Sequence, residues 1–373
     1  MNYTIFVGLD VHKNSISVAV THKNSPEIDF WGVIPNSPEA ISKLLKKFTN
    51  LKKVIFCYEA GPCGFGIYHQ IVASGASCFV VAPSLIPTKP GERIKTDKRD
   101  CIKLARLLKN GDLTPVRVPS EQQEALRDIL RARQEAVKDY SRKRIQLTMF
   151  LLRLGFTSPQ GINPWTINHR KWLEYIKFKH HFQQVCLTVH LRSIDEAKAK
   201  IVYLEKEIIP AVENVVDRKL LQALQALRGV GLITAATFIA EVGDFARFQK
   251  PDQLMAFAGL VPSEFSTGSS RRQGKITKTG NSVIRYMAVE SSWHYRFQPR
   301  ISLPLKKRQD GLSPEIKAIA WKAQQRLNHK YRLLLAKGKP KQKVVTALGR
   351  ELLGFVWAIA NQVAIESHQT KVA

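Results

Sequence analysis

Residues 3–20 read YTIFVGLDVHKNSISVAV, and this stretch decides the fold because it places two strand-like runs on either side of a polar turn. The runs 3–9 and 15–20 are rich in β-branched and aromatic residues, which favour strands. The polar residues 10–14 between them predict the turn. We therefore expect a β-hairpin at the start of the chain, with Asp10 at the end of its first strand.

Strand and helix signals then alternate up to about residue 115. Strands are predicted at 28–34, 53–60 and 77–83, and a helix near 65–74. Ser37 followed by Pro38 is typical of a helix start, with serine as the N-cap and proline in the first turn. Apolar residues at helical spacing predict another helix from Asp97 to Leu108. This alternation predicts an α/β domain over residues 1–115.

Long helical patterns follow over residues 116–217. Ile194, Ile201 and Ile208 recur every seven residues, and Ala197, Leu204 and Ala211 each follow three residues later. This a/d spacing predicts a coiled coil whose partner helix lies either in the same chain or in a second copy. Residues 155–185 are predicted to form a connecting segment that contacts nucleic acid.

A third segment, 218–300, is predicted to be mainly helical. Its stretch ALRGVGLITAATFIAEVG has the pattern of a helix-hairpin-helix, in which Gly229 and Gly231 let backbone N–H groups approach a phosphate. An ordinary glycine cap between packed helices explains the same residues. Residues 301–373 are predicted to form a basic helical C-terminal extension.

The charge of the chain predicts a polyanionic partner. Lys and Arg number 58 against 30 Asp and Glu, which gives a formal charge of +28. Phosphate backbones relieve the resulting self-repulsion, so nucleic acid is the expected partner. The N-terminus has no signal-peptide pattern, and no apolar run reaches the roughly 18 residues that span a bilayer. We therefore expect a cytoplasmic, nucleoid-associated protein with no membrane partner.

Four acidic residues are candidates for a metal site. Asp10 and Glu59 stand at the ends of two predicted strands, which lie side by side in a ribonuclease-H-like sheet. Asp97 and Asp100 are three residues apart and share a helix face. Clustered carboxylates repel one another unless hard Mg²⁺ or Mn²⁺ ions bind them. Taken singly, each acid also fits a plain role: a turn residue, a solvated charge or a helix cap.

Five ordered motifs carry a family resemblance. They are GLDVHKNSISVAV (8–20), CYEAGPCG (57–64), KTDKRDCIKLARLL (95–108), LRGVGLITAATFIAEVGDFARF (227–248) and AFAGLVPSEFSTGSSRRQGKITKTGNSVIR (256–285). Together they resemble the DEDD transposases of bacterial insertion sequences, the family called one-ten, and PSEFSTG resembles its eleven-eleven branch. The middle helices and the C-terminal tail match only in character.

The resemblance implies a RuvC-like (ribonuclease-H-like) N-terminal domain, a coiled-coil connection and a mainly helical C-terminal transposase domain with a serine loop. It also implies a bridge RNA that pairs with donor and target double-stranded DNA, and a homo-oligomer, dimer or tetramer. The four DEDD positions fall on Asp10, Glu59, Asp97 and Asp100, which would bind the divalent ions, Mg²⁺ or Mn²⁺.

The implied nucleophile is less well defined. Family members have Ser directly before Gly, whereas here the order is Ser266-Thr267-Gly268. We favour Ser266 because a β-branched alcohol such as Thr267 is more crowded, and keep Ser269 and Ser270 as alternatives. Basic residues after the loop are candidates for a phosphate clamp, with a solvated basic face as the plain alternative. These candidates are Arg271, Arg272, Lys275, Lys278 and Arg285.

Three other functions fit parts of the pattern. A RuvC-like endonuclease or junction resolvase would use the acids without a covalent intermediate. A sugar-kinase or actin-like ATPase would need small residues at the phosphate turn, where this chain has Val11, His12 and Lys13. A nucleic-acid-binding protein without catalysis would tolerate the loss of Asp10.

Overall fold

The chain forms two compact units, each described here by itself. The computed structural model describes residues 3–87, 96–267 and 270–372. The first unit is Met1–Val118 and the second is Pro119–Ala373. The predicted divisions at residues 217 and 300 both fall inside the second unit.

The first unit is a sheet with helices, as the sequence predicts. Its strands are β1 (Ile5–Val11), β2 (Ser15–His22), β3 (Ile28–Pro35), β4 (Val54–Glu59) and β5 (Ser77–Val81), and its helices are α1 (Pro38–Leu45), α2 (Gly66–Ala73) and α3 (Asp97–Asn110). The strand order is β3-β2-β1-β4-β5. Strands β1, β2 and β3 pair antiparallel, whereas β4 is parallel to both β1 and β5.

Successive residues of β1 point to opposite faces of the sheet, and different helices cover these two faces. Val7 and Leu9 are buried in one core together with Ile41 of α1 and Ile71 of α2. Gly8, between them, lies against α3 on the other face. The predicted start of α1 is confirmed, because the Ser37 hydroxyl accepts a hydrogen bond from the Ala40 N–H and Pro38 stands in the first turn.

Helix α3 lies very close to strand β1. A Cβ atom added to Gly8 would stand 2.3 Å from the carbonyl oxygen of Cys101 and 2.5 Å from the backbone nitrogen of Ala105. Both are backbone atoms of α3, so they cannot move aside as the end of a flexible side chain can. The absence of a side chain at residue 8 therefore sets the distance between helix and strand.

The second unit is mainly helical. Its helices are α4 (Glu121–Arg153), α5 (Ile167–Tyr175), α6 (His181–Val215), α7 (Arg218–Leu224), α8 (Leu232–Val242), α9 (Pro251–Phe257), α10 (Ser282–Ser292), α11 (Leu303–Arg308), α12 (Pro314–Ala336) and α13 (Lys341–Val372). Strands β6 (Pro262–Thr267) and β7 (Ser270–Ile276) pair antiparallel between α9 and α10.

The heptad residues of α6 face α4 of the same chain. Ile194 is buried with Leu147 near the end of α4, and Ile208 is buried with Leu126 and Leu130 near its start. Of the two partners that the sequence left open for this face, the structure therefore shows a helix of the same chain.

The segment predicted as a plain connection, residues 155–185, contains a helix and contributes to a core. Leu173 of α5 and Ile176 are buried together with Leu147, Leu151 and Leu187 of the flanking long helices. Aromatic side chains, Phe156, Trp165, Trp172 and Phe178, pack against this cluster. The glycines and prolines of this segment, at positions 155, 159, 161 and 164, all precede α5.

The predicted C-terminal extension shares the core of the second unit. Leu327 of α12 and Leu352 of α13 are buried in the same cluster as Leu224 of α7 and Ile284 of α10. The stretch Lys341–Gln369 is long and apolar enough to cross a membrane. The sequence analysis did not identify it, because it considered only uninterrupted apolar runs. Its most apolar part is half buried inside the protein, which is typical of a core helix.

Gly8→Ala is expected to destabilise the first unit, because the new methyl group would press on the backbone of α3. Overpacking of this kind costs about 1–3 kcal/mol, which a thermal melt would measure as a lowered Tm. Gly66→Ala is the matched control, since the added Cβ meets no atom of the described residues. An unchanged melting temperature for Gly8→Ala would contradict the close approach of helix and strand.

Candidate active site

Two of the candidate acids stand on neighbouring strands. Leu9 of β1 pairs with Tyr58 of β4 in the parallel register. Asp10 follows Leu9, and Glu59 follows Tyr58 as the last residue of β4. The strand register therefore brings residues from positions 10 and 59 to the same edge of the sheet, as the sequence predicts for a sheet of this type.

The other two acids stand in the first turn of α3. The Thr96 hydroxyl accepts a hydrogen bond from the Arg99 N–H and caps the helix, so Asp97 is its first residue. Both Asp97 and Asp100 interact electrostatically with Asp10. The close packing of α3 on Gly8 thus brings the carboxylates of Asp97 and Asp100 near that of Asp10.

His12 belongs to this site, although the sequence placed it only in a turn. Its Nε2 atom lies 3.2 Å from Oδ2 of Asp10 and 3.5 Å from Oδ1 of Asp97. One ligand atom from each of these three residues lies within 4.8 Å of the others. Glu59 stands at the adjacent strand end but is not a member of this close group.

The electrostatics of the site favour a cation. Burial raises the pKa of Asp10, His12 lowers it, and the negative charges of Asp100 and Asp97 raise it again. The Asp10 side chain is 14% exposed, whereas that of Asp97 is 63% exposed, so the site opens to solvent on the side of the helix. Converging carboxylates with an open side fit a hard divalent cation, which prefers oxygen ligands and retains free positions.

The candidate nucleophiles lie on the hairpin β6–β7. Ser266 and Thr267 are both exposed at the end of β6. The Ser266 hydroxyl donates a 2.8 Å hydrogen bond to Oε1 of Glu264, two residues earlier. Successive residues of a strand point to opposite faces, so Ser266 and Glu264 share one face while Thr267 and Phe265 share the other. The sequence analysis missed Glu264, which i, i+2 spacing on a strand would have indicated.

The remaining loop candidates divide by position. Ser270 pairs with Thr267 across the hairpin. Ser269 lies outside the described residues, and so does the side chain of Arg271. Arg272 and Lys275 are exposed on β7. Arg272 pairs with Phe265 across the hairpin, so it shares the face of Thr267 rather than that of Ser266.

Arg285, a candidate for the phosphate clamp, has an internal hydrogen-bond partner. Its Nη1 atom donates a 2.7 Å hydrogen bond to the carbonyl oxygen of Ala258, just after α9. Burial lowers the pKa of this guanidinium. Arg285 therefore ties α10 to the turn after α9. Lys278 is exposed in the preceding loop and has a φ of 56°, in the left-handed region.

The two glycines of the helix-hairpin-helix pattern have different roles. Gly229 has a φ of 81°, and a Cβ there would lie 2.5 Å from the carbonyl oxygen of Ser291. Close packing therefore explains Gly229, as the plain alternative requires. Gly231 is the N-cap of α8, and no side chain caps that helix.

Comparison with known proteins places the chain in a family. Residues 7–155 match the DEDD transposase domain of IS110, and residues 221–303 match the transposase family IS116/IS110/IS902. A protein of Sinorhizobium fredii whose name describes it as a transposase is 44% identical over 96% of this chain and 88% of its own length. The chain belongs to the IS110/IS116/IS902 family of transposases.

More distant relatives agree with this membership. The transposase for insertion sequence element IS1533 of Leptospira borgpetersenii is 32% identical, over 92% of this chain and 99% of its own length. That for IS1111A of Coxiella burnetii is 25% identical, over 71% and 72%. The chain is thus an enzyme of DNA transposition, and the one-ten resemblance is confirmed. A DEDD domain implies a divalent metal ion, which the donor set around Asp10 fits.

Asp10→Asn is expected to weaken Mn²⁺ binding to this transposase, because it removes a charge from the group while preserving its shape. The affinity for Mn²⁺ should fall by more than about tenfold, because tenfold is the lower end of the effect of mutating a residue that only supports a metal ligand. Isothermal titration with Mn²⁺ would measure it. Asp29→Asn, at an exposed position of β3, is the control for a lost acidic charge. Equal affinities for the two variants would contradict the site.

Proposed function

We propose that the transposase cleaves and rejoins DNA strands under the guidance of a bridge RNA, using a DEDD metal site and a hydroxyl nucleophile. The observation that carries this proposal is the convergence of Asp10, His12 and Asp97, with the charge of Asp100 acting on Asp10 and Glu59 at the adjacent strand end. Such a group of acids at a sheet edge suits phosphoryl transfer.

The topology of the first unit supports a RuvC-like fold. An antiparallel β1–β2–β3 meander continues through parallel strands β4 and β5, and α3 packs across β1. In a ribonuclease-H-like sheet, the strands that end at Asp10 and Glu59 are expected to lie side by side. We assign the DEDD nuclease role to residues 1–115 on that basis.

The metal would be held by Asp10, Glu59, Asp97 and Asp100, as Mg²⁺ or Mn²⁺. When bound, such an ion supplies charge stabilisation to phosphate oxygens. The residues themselves present the carboxylate oxygens, and Asp97 on the open side leaves space for a DNA phosphate. His12 orients Asp10 and Asp97 through its Nε2 atom.

Ser266 is the nucleophile that we favour. Its oxygen attacks the DNA phosphorus, and the bond from phosphorus to the departing sugar oxygen breaks. The serine proton passes to Glu264, which already accepts a hydrogen bond from this hydroxyl, and the departing oxygen takes up a proton from water and leaves as a hydroxyl. Attack by the hydroxyl of another strand on this phosphoserine linkage reverses the step and rejoins DNA. Because the phosphodiester energy is retained, no ATP is needed.

Basic residues near the hairpin would hold the phosphate during this reaction. Lys275 is exposed on β7, whereas Arg272, also exposed there, pairs with Phe265 and so lies on the face away from Ser266. Arg271 and Lys278 belong to the same basic group by sequence. The net charge of +28 supports contact with both DNA and a structured RNA, since each brings a phosphate backbone. Sequence choice would then rest on base pairing to the RNA.

A second copy of the chain would pack against exposed apolar side chains of the helical hairpin. Ile145, Met149 and Leu152 are exposed on α4 at helical spacing, outside the face that packs on α6. Phe182 and Val189 are exposed near the start of α6. These side chains support the coiled-coil role of residues 116–217 and a homo-oligomer, dimer or tetramer.

Removal of the acidic charges is expected to abolish recombination. We predict that Asp10→Asn, Glu59→Gln and Asp100→Asn each lower strand exchange by at least about a hundredfold, because charge stabilisation is the largest contribution in such sites. Nucleic-acid binding should persist, since the basic surfaces remain. A plasmid excision assay and a gel-shift assay would measure the two properties. Full recombination by all three variants would refute the metal site.

A covalent DNA adduct distinguishes the two hydroxyls. Ser266→Ala is expected to lose the adduct, whereas Thr267→Ala should retain it, because the two side chains point to opposite faces of β6. Denaturing gels of protein trapped on labelled DNA would show the adduct. Loss only in Thr267→Ala would transfer the role to threonine. Metal-dependent nicks with free ends and no adduct in the unmodified chain would indicate a junction-resolvase-like endonuclease instead.

A further inference from the structure

A cavity in the second unit combines basic side chains with the start of a helix. Its volume is about 360 Å³, and its walls include Arg228, His294, Arg300 and Arg308. Gly231, the N-cap of α8, also lines it. The cavity is remote in sequence from the acids of the first unit and from the hydroxyls of the hairpin, so neither part of the proposed chemistry uses it.

The start of α8 borders this cavity through Gly231. The helix has 11 residues, Leu232–Val242, and its N-cap is a glycine without a capping side chain. The first N–H groups of a helix have no partner within it and carry a partial positive charge. Anionic oxygens are the ligands that such groups bind.

Two of the arginines are fixed in place by the fold. Arg228 donates to the carbonyl oxygens of Phe297 and Gln298, and Arg308 donates to that of Val230, one residue before the N-cap. Both guanidinium groups are therefore held at the cavity wall before any ligand arrives. Such preorganisation reduces the entropy lost on binding.

A buried hydroxyl lies within electrostatic reach of two of the arginines of the cavity. Tyr295 is fully buried, and its hydroxyl has no hydrogen-bond partner among the described residues. The same hydroxyl interacts electrostatically with Arg228 and Arg308. Tyr295 does not itself line the cavity, so it reports the positive charge of these arginines rather than a contact with the ligand.

We propose that this cavity binds a phosphodiester of a nucleic-acid backbone, held by Arg228, Arg300, Arg308 and the first turn of α8. The site deepens the proposed function, on which it rests for its ligand, because it gives the second unit a contact that positions nucleic acid without reading its sequence. DNA and RNA share this chemistry. The cavity also accounts for Gly231, whose missing side chain leaves the helix start open.

The electrostatics agree with a bound anion. Burial lowers the pKa of His294, and the positive charges of Arg228, Arg296 and Arg308 lower it further. A phosphodiester in the cavity would favour the charged imidazolium, so its binding should raise the pKa of His294. This shift provides a readout that mere loss of structure would not give.

Salt-dependent binding tests the site. The full chain in EDTA would be titrated with a fluorescent duplex DNA, a single-stranded DNA and an RNA hairpin. Arg300→Gln is expected to weaken binding by about tenfold and to lower the slope of log K against log salt by about one, the effect of one lost phosphate contact. Arg296→Gln is the control, because this arginine stacks on Phe297 and does not line the cavity. It should change the affinity by no more than about twofold and leave the slope unchanged.

The outcomes separate the sources of the phosphate. If Arg300→Gln weakens the binding of DNA alone, the cavity binds DNA, and if it weakens the binding of RNA alone, the cavity binds RNA. Weaker binding of both shows that the cavity accepts either backbone. Selectively labelled histidine would report the His294 pKa with and without the oligonucleotide. Equal slopes for Arg300→Gln and Arg296→Gln, or an unchanged pKa of His294, would overturn the proposal.

The adduct assay keeps this result distinct from the proposed function. At saturating DNA, Arg300→Gln should still form the covalent adduct, because the residue lies outside the catalytic group. A normal adduct with an unchanged salt slope would remove the cavity site and leave the transposition chemistry intact. An unmodified chain that never forms an adduct, with Arg300 still controlling the slope, would remove the covalent mechanism and leave the cavity site.

Discussion

The distance between helix α3 and strand β1 is the constraint on which the acidic site depends. Gly8 has no side chain, so the backbone of α3 comes into direct contact with the strand. Asp10 lies two residues beyond this contact on the strand, and Asp97 and Asp100 lie just before it on the helix. Any larger residue at position 8 would separate these carboxylates by moving one backbone from the other. The site is therefore built by packing around a glycine as much as by the acids themselves.

That packing gathers negative charge in a chain whose overall charge is strongly positive. The carboxylates of Asp97 and Asp100 act against ionisation of Asp10, and only His12 opposes them among the groups that act on it. A nucleic acid is attracted by the chain as a whole but repelled where the acids converge. A divalent cation removes this conflict, because it neutralises the acids and leaves the phosphate a positive partner. A divalent ion bound by these acids would therefore let a phosphate backbone approach them.

The sequence predicted those parts of the fold that depend on local patterns. Strand alternation, the Ser37-Pro38 helix start and the apolar spacing after Asp97 are each set within a few residues, and the structure has them where expected. It did not predict the contact of His12 with Asp97, because that distance depends on where α3 packs. Nor did it predict the hydrogen bond of Arg285, whose acceptor, Ala258, lies 27 residues earlier. Tertiary hydrogen bonds of this kind leave no periodic signal.

The choice of nucleophile follows from strand geometry more than from the order of residues in the loop. Aligning the loop by its glycine favours Thr267, since that residue directly precedes Gly268. On a strand, however, adjacent residues point to opposite faces, so only one of the two hydroxyls can face a given phosphate. Glu264 shares the face of Ser266 and accepts a hydrogen bond from its hydroxyl. This carboxylate is a candidate base for the serine. On the face of Thr267 the neighbouring residue of the strand is Phe265, which cannot accept a proton. An adjacent general base is one of the ways in which a hydroxyl nucleophile is activated. The carboxylate two residues earlier is therefore the feature that makes Ser266 the better candidate.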